Sequence, residues 1–326
     1  MTQLAKSREH FCLIKKLTAF MALAAIGLHS VVGHAAISVT DDAQHVVTLA
    51  KPAQRIISLA PHATELLFEV GAGSQIVGVS EYSDFPEAAK KIPSIGNVFA
   101  LDVERIIALK PDLVVIWGTG NGKTLASKLR DTHIPIFESE PRNFEDIASS
   151  IERLAVLTDK QATGNAAAQR FRIRLEKLRQ TYQPGLLSGL SPSSQVSTAN
   201  TAEKQRIVSV FYQIWRKPLM TLNDQHLVSA AIRLCGGKNI FGGLKEISPT
   251  VNTEAVLAAN PDAIITTGGE QQDVFADWRQ FTTLNAVSKG NLFTVKGDWM
   301  NRAGPRILDG TEMLCKHLAT ARTTLK

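Results

Sequence analysis

Short aliphatic runs alternate with amphipathic stretches along most of this chain, a pattern that belongs to α/β folding. Ile37 to Val47 alternates residue by residue around Asp41-Asp42, which predicts an edge hairpin. Continuous apolar runs at 55–59, 76–79, 113–116, 134–137, 207–211 and 291–295 predict buried strands. Between them, Pro61 to Gly71 and Phe144 to Leu157 carry helical spacing. A further helix ends at Cys235-Gly236-Gly237, and a last one runs from about Pro305 to Ala321. The stretch 159–183 is rich in Ala, Gln, Arg, Leu and Glu, and stops at Pro184-Gly185. As a helix it would extend about 37 Å at 1.5 Å per residue, enough to bridge two lobes. Residues 80–86 read as a polar loop, and 184–205 as a flexible Ser-rich one.

One segment occurs twice, 150 residues apart. Asp102-Val-Glu104-Arg-Ile-Ile-Ala108-Leu-Lys-Pro111-Asp112 is matched in register by Asn252-Thr-Glu254-Ala-Val-Leu-Ala258-Ala-Asn-Pro261-Asp262, and an aliphatic strand follows each. Asp102 and Asn252 are N-cap candidates, and the prolines close the helices. Such a repeat implies two similar α/β lobes with a cleft between them. The expected organisation is a segment 1–35, a first lobe 36–157, a linking helix 158–184, a loop 185–205 and a second lobe 206–326.

Charge and cysteine usage sharpen this picture. Lys6, Arg8, Lys15 and Lys16 against Glu9 supply half of the net charge of +6. The remainder is too mild and too evenly spread to favour nucleic acid or an anionic membrane as partner. Lys15-Lys16, the apolar run Leu17 to Leu28 and the small residues Gly33 and Ala35 make 1–35 a secretory signal peptide. Its apolar run is shorter than the ~20 residues that span a bilayer. A soluble exported protein beginning near Ala36 is therefore expected. Cys235 and Cys315 then form an even pair in an oxidising compartment, which reads as a disulfide; two unrelated buried thiols are the alternative.

The candidate chemistry is that of binding. Gly118-Thr-Gly120-Asn-Gly122-Lys123 follows a strand but has neither P-loop nor dinucleotide spacing. Its glycines are expected to let the backbone turn tightly beside Trp117. Trp117, Trp215 and Trp299 each fall just past a strand, where α/β sheets face ligands, whereas Trp278 lies in a helical pattern and reads as core. Three aromatic walls suit a large, flat, partly apolar ligand; capping of core edges is the alternative for each. His62 enters the first helix as a possible ligand contact or a local cap. No metal-ligand or hydrolytic pattern is present, so no metal site, cofactor or enzymatic activity is expected. Glu104 and Glu254 either favour their helix dipoles or form paired docking carboxylates for a two-fold partner.

Several stretches together resemble a family: Arg55 to Glu65, Gly78 to Asp84, Asp102 to Trp117, Phe211 to Thr221, Cys235 to Phe241 and Gly297 to Arg306. The chain is similar to periplasmic substrate-binding proteins of ABC importers, in the class whose two Rossmann-like α/β lobes are joined by a single long α-helix. Within that class it resembles the cobalamin-binding branch. The resemblance implies that a corrinoid, the transported ligand, lies between the lobes against Tyr82, Trp117, Asp298 and Arg302. Met220 occupies a position that is Phe in that branch. Two of its tryptophans fall on Val98, beside Phe99, and on Ser248. The resemblance also implies that Glu104 and Glu254 dock on the permease of an importer whose ATPase does the chemical work, and that Cys235 pairs with Cys315. The alternative in the same class is a haem or ferric-siderophore receptor. Tyr82 or His62 would then be the axial ligand of a haem, or Arg302 the clasp of an anionic siderophore.

Overall fold

The computed structural model describes residues 36–97, 100–183, 206–268 and 273–325, so the signal-peptide reading, the Ser-rich loop and Phe99 lie outside the described residues. The hairpin forms as β1 (Ile37–Thr40) and β2 (Val46–Leu49). The first lobe continues through β3 (Ile56–Ser58), α1 (Pro61–Glu69), β4 (Ile76–Val79) and the small pair β5 (Gly96–Asn97) and β6 (Ala100–Leu101). It is completed by α2 (Val103–Ala108), β7 (Leu113–Trp117), α3 (Gly118–Arg130), β8 (Ile136–Ser139) and α4 (Phe144–Thr158). Helix α5 (Gln161–Tyr182) precedes the second lobe, which opens with β9 (Val208–Gln213), α6 (Leu227–Leu234), β10 (Gly237–Asn239) and α7 (Thr253–Ala259). Then follow β11 (Ala263–Thr267), α8 (Ala276–Arg279), α9 (Asn285–Ser288), β12 (Leu292–Val295), α10 (Gly297–Met300) and α11 (Ile307–Thr324).

Both four-stranded sheets are parallel and share one topology. The orders are β4-β3-β7-β8 and β10-β9-β11-β12, so in each lobe the third strand lies beside the first. The repeated segment supplies the helix before that third strand in both lobes, and its aspartate explains part of the registration. The Asp112 carboxylate accepts the Gln54 and Arg55 N–H groups at 2.8 and 2.9 Å, and its own N–H donates to the Arg55 carbonyl. In the second lobe, Asp262 accepts the Ser209 N–H and hydroxyl at 3.0 and 2.7 Å and donates its N–H to the Ser209 carbonyl. Each Pro-Asp corner thus pins the start of the first strand to the start of the third.

The aliphatic strands are buried on both faces. Leu113 and Val115 pack inward while Val114 and Ile116 pack against the outer helix α2; Ile265 and Ile264 divide in the same way in β11. The inner core runs without interruption from one lobe to the other through Ala167, Ala168, Phe171, Leu175 and Leu178 of α5. Ion pairs fasten the same helix on both sides. Arg172 reaches Glu145 and Glu152 of α4, and Arg174 reaches Asp309 and Glu312 of α11. The long helix read from about Asp159 forms as α5: Asp159 takes φ 57° and caps α4, and α5 starts two residues later and runs unbroken to Tyr182. The expected Cys235–Cys315 disulfide is present, tying the end of α6 to the middle of α11.

Candidate ligand-binding site

A crevice of about 750 Å³, its open mouth included, is lined by both lobes. Its walls come from segments that follow strands. From the first lobe they are Pro61 and His62 after β3, Trp117 at the end of β7, and Glu140 to Arg142 after β8. The second lobe contributes Gln225 to Leu227 at the start of α6, Ile247, and Met300 to Ala303 from the end of α10 onward. Ligands of open α/β sheets collect at such carboxyl ends. Among the described residues no group of three or more His, Cys, Asp or Glu side chains is placed to hold a metal ion.

The first-lobe wall is built around Trp117. The glycine run after it is not the tight loop expected from sequence; it folds as helical turns of α3, broken at Gly122, which takes φ 76°. The glycines still serve the tryptophan. A Cβ on Gly120 would overlap the Trp117 indole, so only glycine admits the helix so close to the ring. Asn121 holds the turn in place, accepting the Trp117 N–H at 2.6 Å and donating to the Leu59 carbonyl at 3.0 Å. His62 meets the indole edge-on at 5.8 Å between centroids. Its ring is 4% exposed, and its Nε2 lies 3.2 Å from the Ser139 hydroxyl. Burial lowers the His62 pKa to about 4; the Ser139 hydrogen bond opposes this and the Arg302 charge adds to it. This imidazole is therefore neutral at ordinary pH, and it forms part of the crevice wall.

Arg302 reaches the crevice in a different state from the one sequence implied. It bonds Glu65 at 3.2 Å and Asp84 at 2.7 Å in the first lobe, and Asp298 at 3.1 Å in its own. Arg306 adds two bonds to Glu65, at 2.6 and 3.0 Å, and lies over the Phe85 ring at 4.0 Å. Partial burial raises the Asp84 pKa, but the hydrogen bond and charge of Arg302 outweigh it, leaving the carboxyl below its usual range. One buried carboxylate, Glu65, thus gathers two arginines across the inter-lobe boundary. Its role was not legible in sequence, although an acidic residue between Ala63 and Leu66 on a helix that buries both was the available signal.

The other candidates distribute as follows. Tyr82, with φ 65°, stands in the loop after edge strand β4 and is 72% exposed. Trp215 is 63% exposed beyond β9, where it forms a β-bridge with Met220. Trp299 lies in α10 rather than a loop, and one ring face is covered by the Lys296 ammonium at 4.3 Å. None of Tyr82, Trp215, Met220, Asp298 and Trp299 lines the crevice itself, whereas His62, Trp117 and Arg302 do. Trp278 is buried core, donating to the Gln213 side chain at 2.8 Å. Glu104 and Glu254 occupy the same position, two residues past the Asp102 and Asn252 caps. Both are exposed, and neither pairs with a described residue. Asp102 accepts the Arg105 N–H at 2.9 Å and Asn252 the Ala255 N–H at 2.8 Å, as the repeat predicts.

Comparison with known proteins agrees with this architecture. A vitamin B12-binding protein of Vibrio cholerae serotype O1 is 37% identical over 275 residues, covering 83% of this chain and 91% of that protein. The crystal structure of the periplasmic vitamin B12 binding protein BtuF of Vibrio cholerae superposes with a TM-score of 0.72 at 35% identity, over 83% of this chain and 98% of that one. The apo periplasmic heme-binding protein RhuT from Roseiflexus sp. RS-1 shares the fold, with a TM-score of 0.68 at 20% identity, over 83% and 99% of the two chains. The sequence also matches the periplasmic binding protein family over residues 56–186 and 194–298. That match spans both lobes and most of the chain, and the chain belongs to the periplasmic binding protein family.

Proposed function

We propose that this protein is a soluble periplasmic receptor that binds cobalamin between its lobes and delivers it to the permease of an ABC importer. The observation that carries the reading is the crevice, walled from the strand ends of both lobes and backed by Trp117, in a chain whose relatives are named for vitamin B12 binding. In this reading residues 1–35 direct export, the monomeric receptor captures the corrinoid, and the importer's ATPase supplies the energy. Tyr82, Trp215, Met220 and Trp299 would reach the ligand from the rim as it extends beyond the crevice. Phe99, beside Val98 in the sequence, is proposed as a further ligand contact.

The test is titration of intrinsic tryptophan fluorescence with cyanocobalamin, hemin and a ferric siderophore, with calorimetry as the absorbance-free check. Saturable one-to-one binding of cyanocobalamin is the expected result. A response to hemin alone would move the assignment to haem and leave the receptor role standing. His62 is sealed into the wall by Ser139, so Tyr82 is then the axial candidate. Trp117→Ala is expected to raise the Kd for cyanocobalamin roughly tenfold or more, since a large apolar side chain contributes about 1.5–3 kcal/mol when its contact surface leaves water. An unchanged Kd would remove Trp117 from the site.

Glu104 and Glu254 are assigned to permease docking. Exposed ion pairs contribute little singly, so the two act on orientation more than on affinity. Charge reversal at both positions is expected to impair corrinoid uptake by cells dependent on this receptor, while the Kd of the purified protein stays at the wild-type value. Lost ligand affinity, or uptake at the wild-type rate, would contradict the assignment.

A further inference from the structure

His226 opens α6 as its N-cap and lines the crevice from the second lobe, as Trp117 does from the first. The cap is made by the side chain: Nδ1 accepts the Val228 N–H at 3.1 Å. A nitrogen that accepts a backbone N–H bears a lone pair, so in the neutral imidazole the proton is on Nε2. Burial lowers the His226 pKa to about 4, which keeps the ring neutral and this tautomer in place. Nε2 itself bonds no described residue. Its nearest counterpart in the first lobe, His62, is the second residue of the helix after the first strand, and its Nε2 is already engaged by Ser139. The second lobe therefore presents a donor of fixed orientation that the first lobe does not.

We infer that His226 is a ligand-contacting residue whose Nε2–H donates to a hydrogen-bond acceptor on the periphery of the bound molecule. The inference deepens the proposed function and rests on it. The acceptor class is the amide carbonyls that fringe a corrinoid, or the carboxylates that fringe a haem. The helix cap fixes both the tautomer and the aim of the ring, so the donor is oriented before the ligand arrives.

Long-range ¹⁵N NMR of the wild-type imidazole reads the first half: Nε2 carries the proton in the free protein at pH 7, and its resonance moves on addition of cyanocobalamin. His226→Ser reads the second half, because the short serine side chain retains the cap while removing the Nε2–H donor and its reach. Its thermal midpoint is expected to match wild type while the Kd for cyanocobalamin rises roughly threefold to tenfold, the range for one neutral hydrogen bond. A proton on Nδ1, or His226→Ser binding with the wild-type Kd, overturns the inference. If wild type takes hemin and ignores cyanocobalamin, the corrinoid reading fails alone and the same comparison is decided with hemin. If wild type binds neither probe, the donor assignment falls with the functional reading.

Discussion

Glu65→Ala is expected to cost about 3–5 kcal/mol of folding stability, because it strands two arginines that share one buried carboxylate. The Glu65 side chain is 2% exposed, and it holds Arg306 through two bonds and Arg302 through one. Asp84 and Asp298, being largely solvated, still pair with Arg302, but neither makes a direct ion pair with Arg306. Urea unfolding of wild type and variant measures the difference. A loss below about 1 kcal/mol would mean that water replaces the carboxylate and that the cluster contributes little. Combining Glu65→Leu with Arg306→Met should recover much of the loss, since removing both charges avoids leaving one buried and unpaired.

Cys235→Ala with Cys315→Ala is the second large effect, at about 4 kcal/mol on the loop-closure model. The bridge closes a loop across 80 residues of sequence, a span that holds β10, α7, β11 and β12. For a chain of this size the loss corresponds to a thermal midpoint lower by roughly 10 °C. Calorimetry on oxidised wild type and the double variant decides it; midpoints within about 2 °C of each other would show that the bridge adds nothing to the fold. Both cysteines are fully buried, so reduction of the folded protein is expected to be slow and to require opening of the α6–α11 contact.

Most of the architecture was legible because its signals are local. The Asp102 and Asn252 caps, the Pro-Asp corners and the β-branched runs each act within a few residues, and their recurrence 150 positions apart disclosed the duplicated lobe before any contact was known. Strand β10 was not legible. Gly237-Lys238-Asn239 has no strand period, and its conformation comes from pairing with β9 and from Asn239 donating to the Leu222 carbonyl at 2.7 Å. Helix α3 was hidden for a similar reason: three glycines argue against helix, and a long-range bond from Asn121 to Leu59 holds the turn. At the site, Trp117 and His62 were found from their places after strands. The cluster around Glu65 escaped because its members lie 237 and 241 residues apart. His226 escaped because a capping histidine looks like any polar residue before an apolar run.

Arg172 and Arg174 sit two residues apart on α5, about 200° around its axis, so this one rod is tethered to opposite neighbours by opposite sides. These tethers are partly solvated, within reach of mobile ions whose screening distance is about 8–10 Å at ordinary salt. The apolar contacts of the same rod are indifferent to salt in that range. Rigidity between the halves therefore has one component set by chemistry inside the molecule and another set by the surrounding electrolyte. A concentrated medium should slacken the joint while each half stays folded.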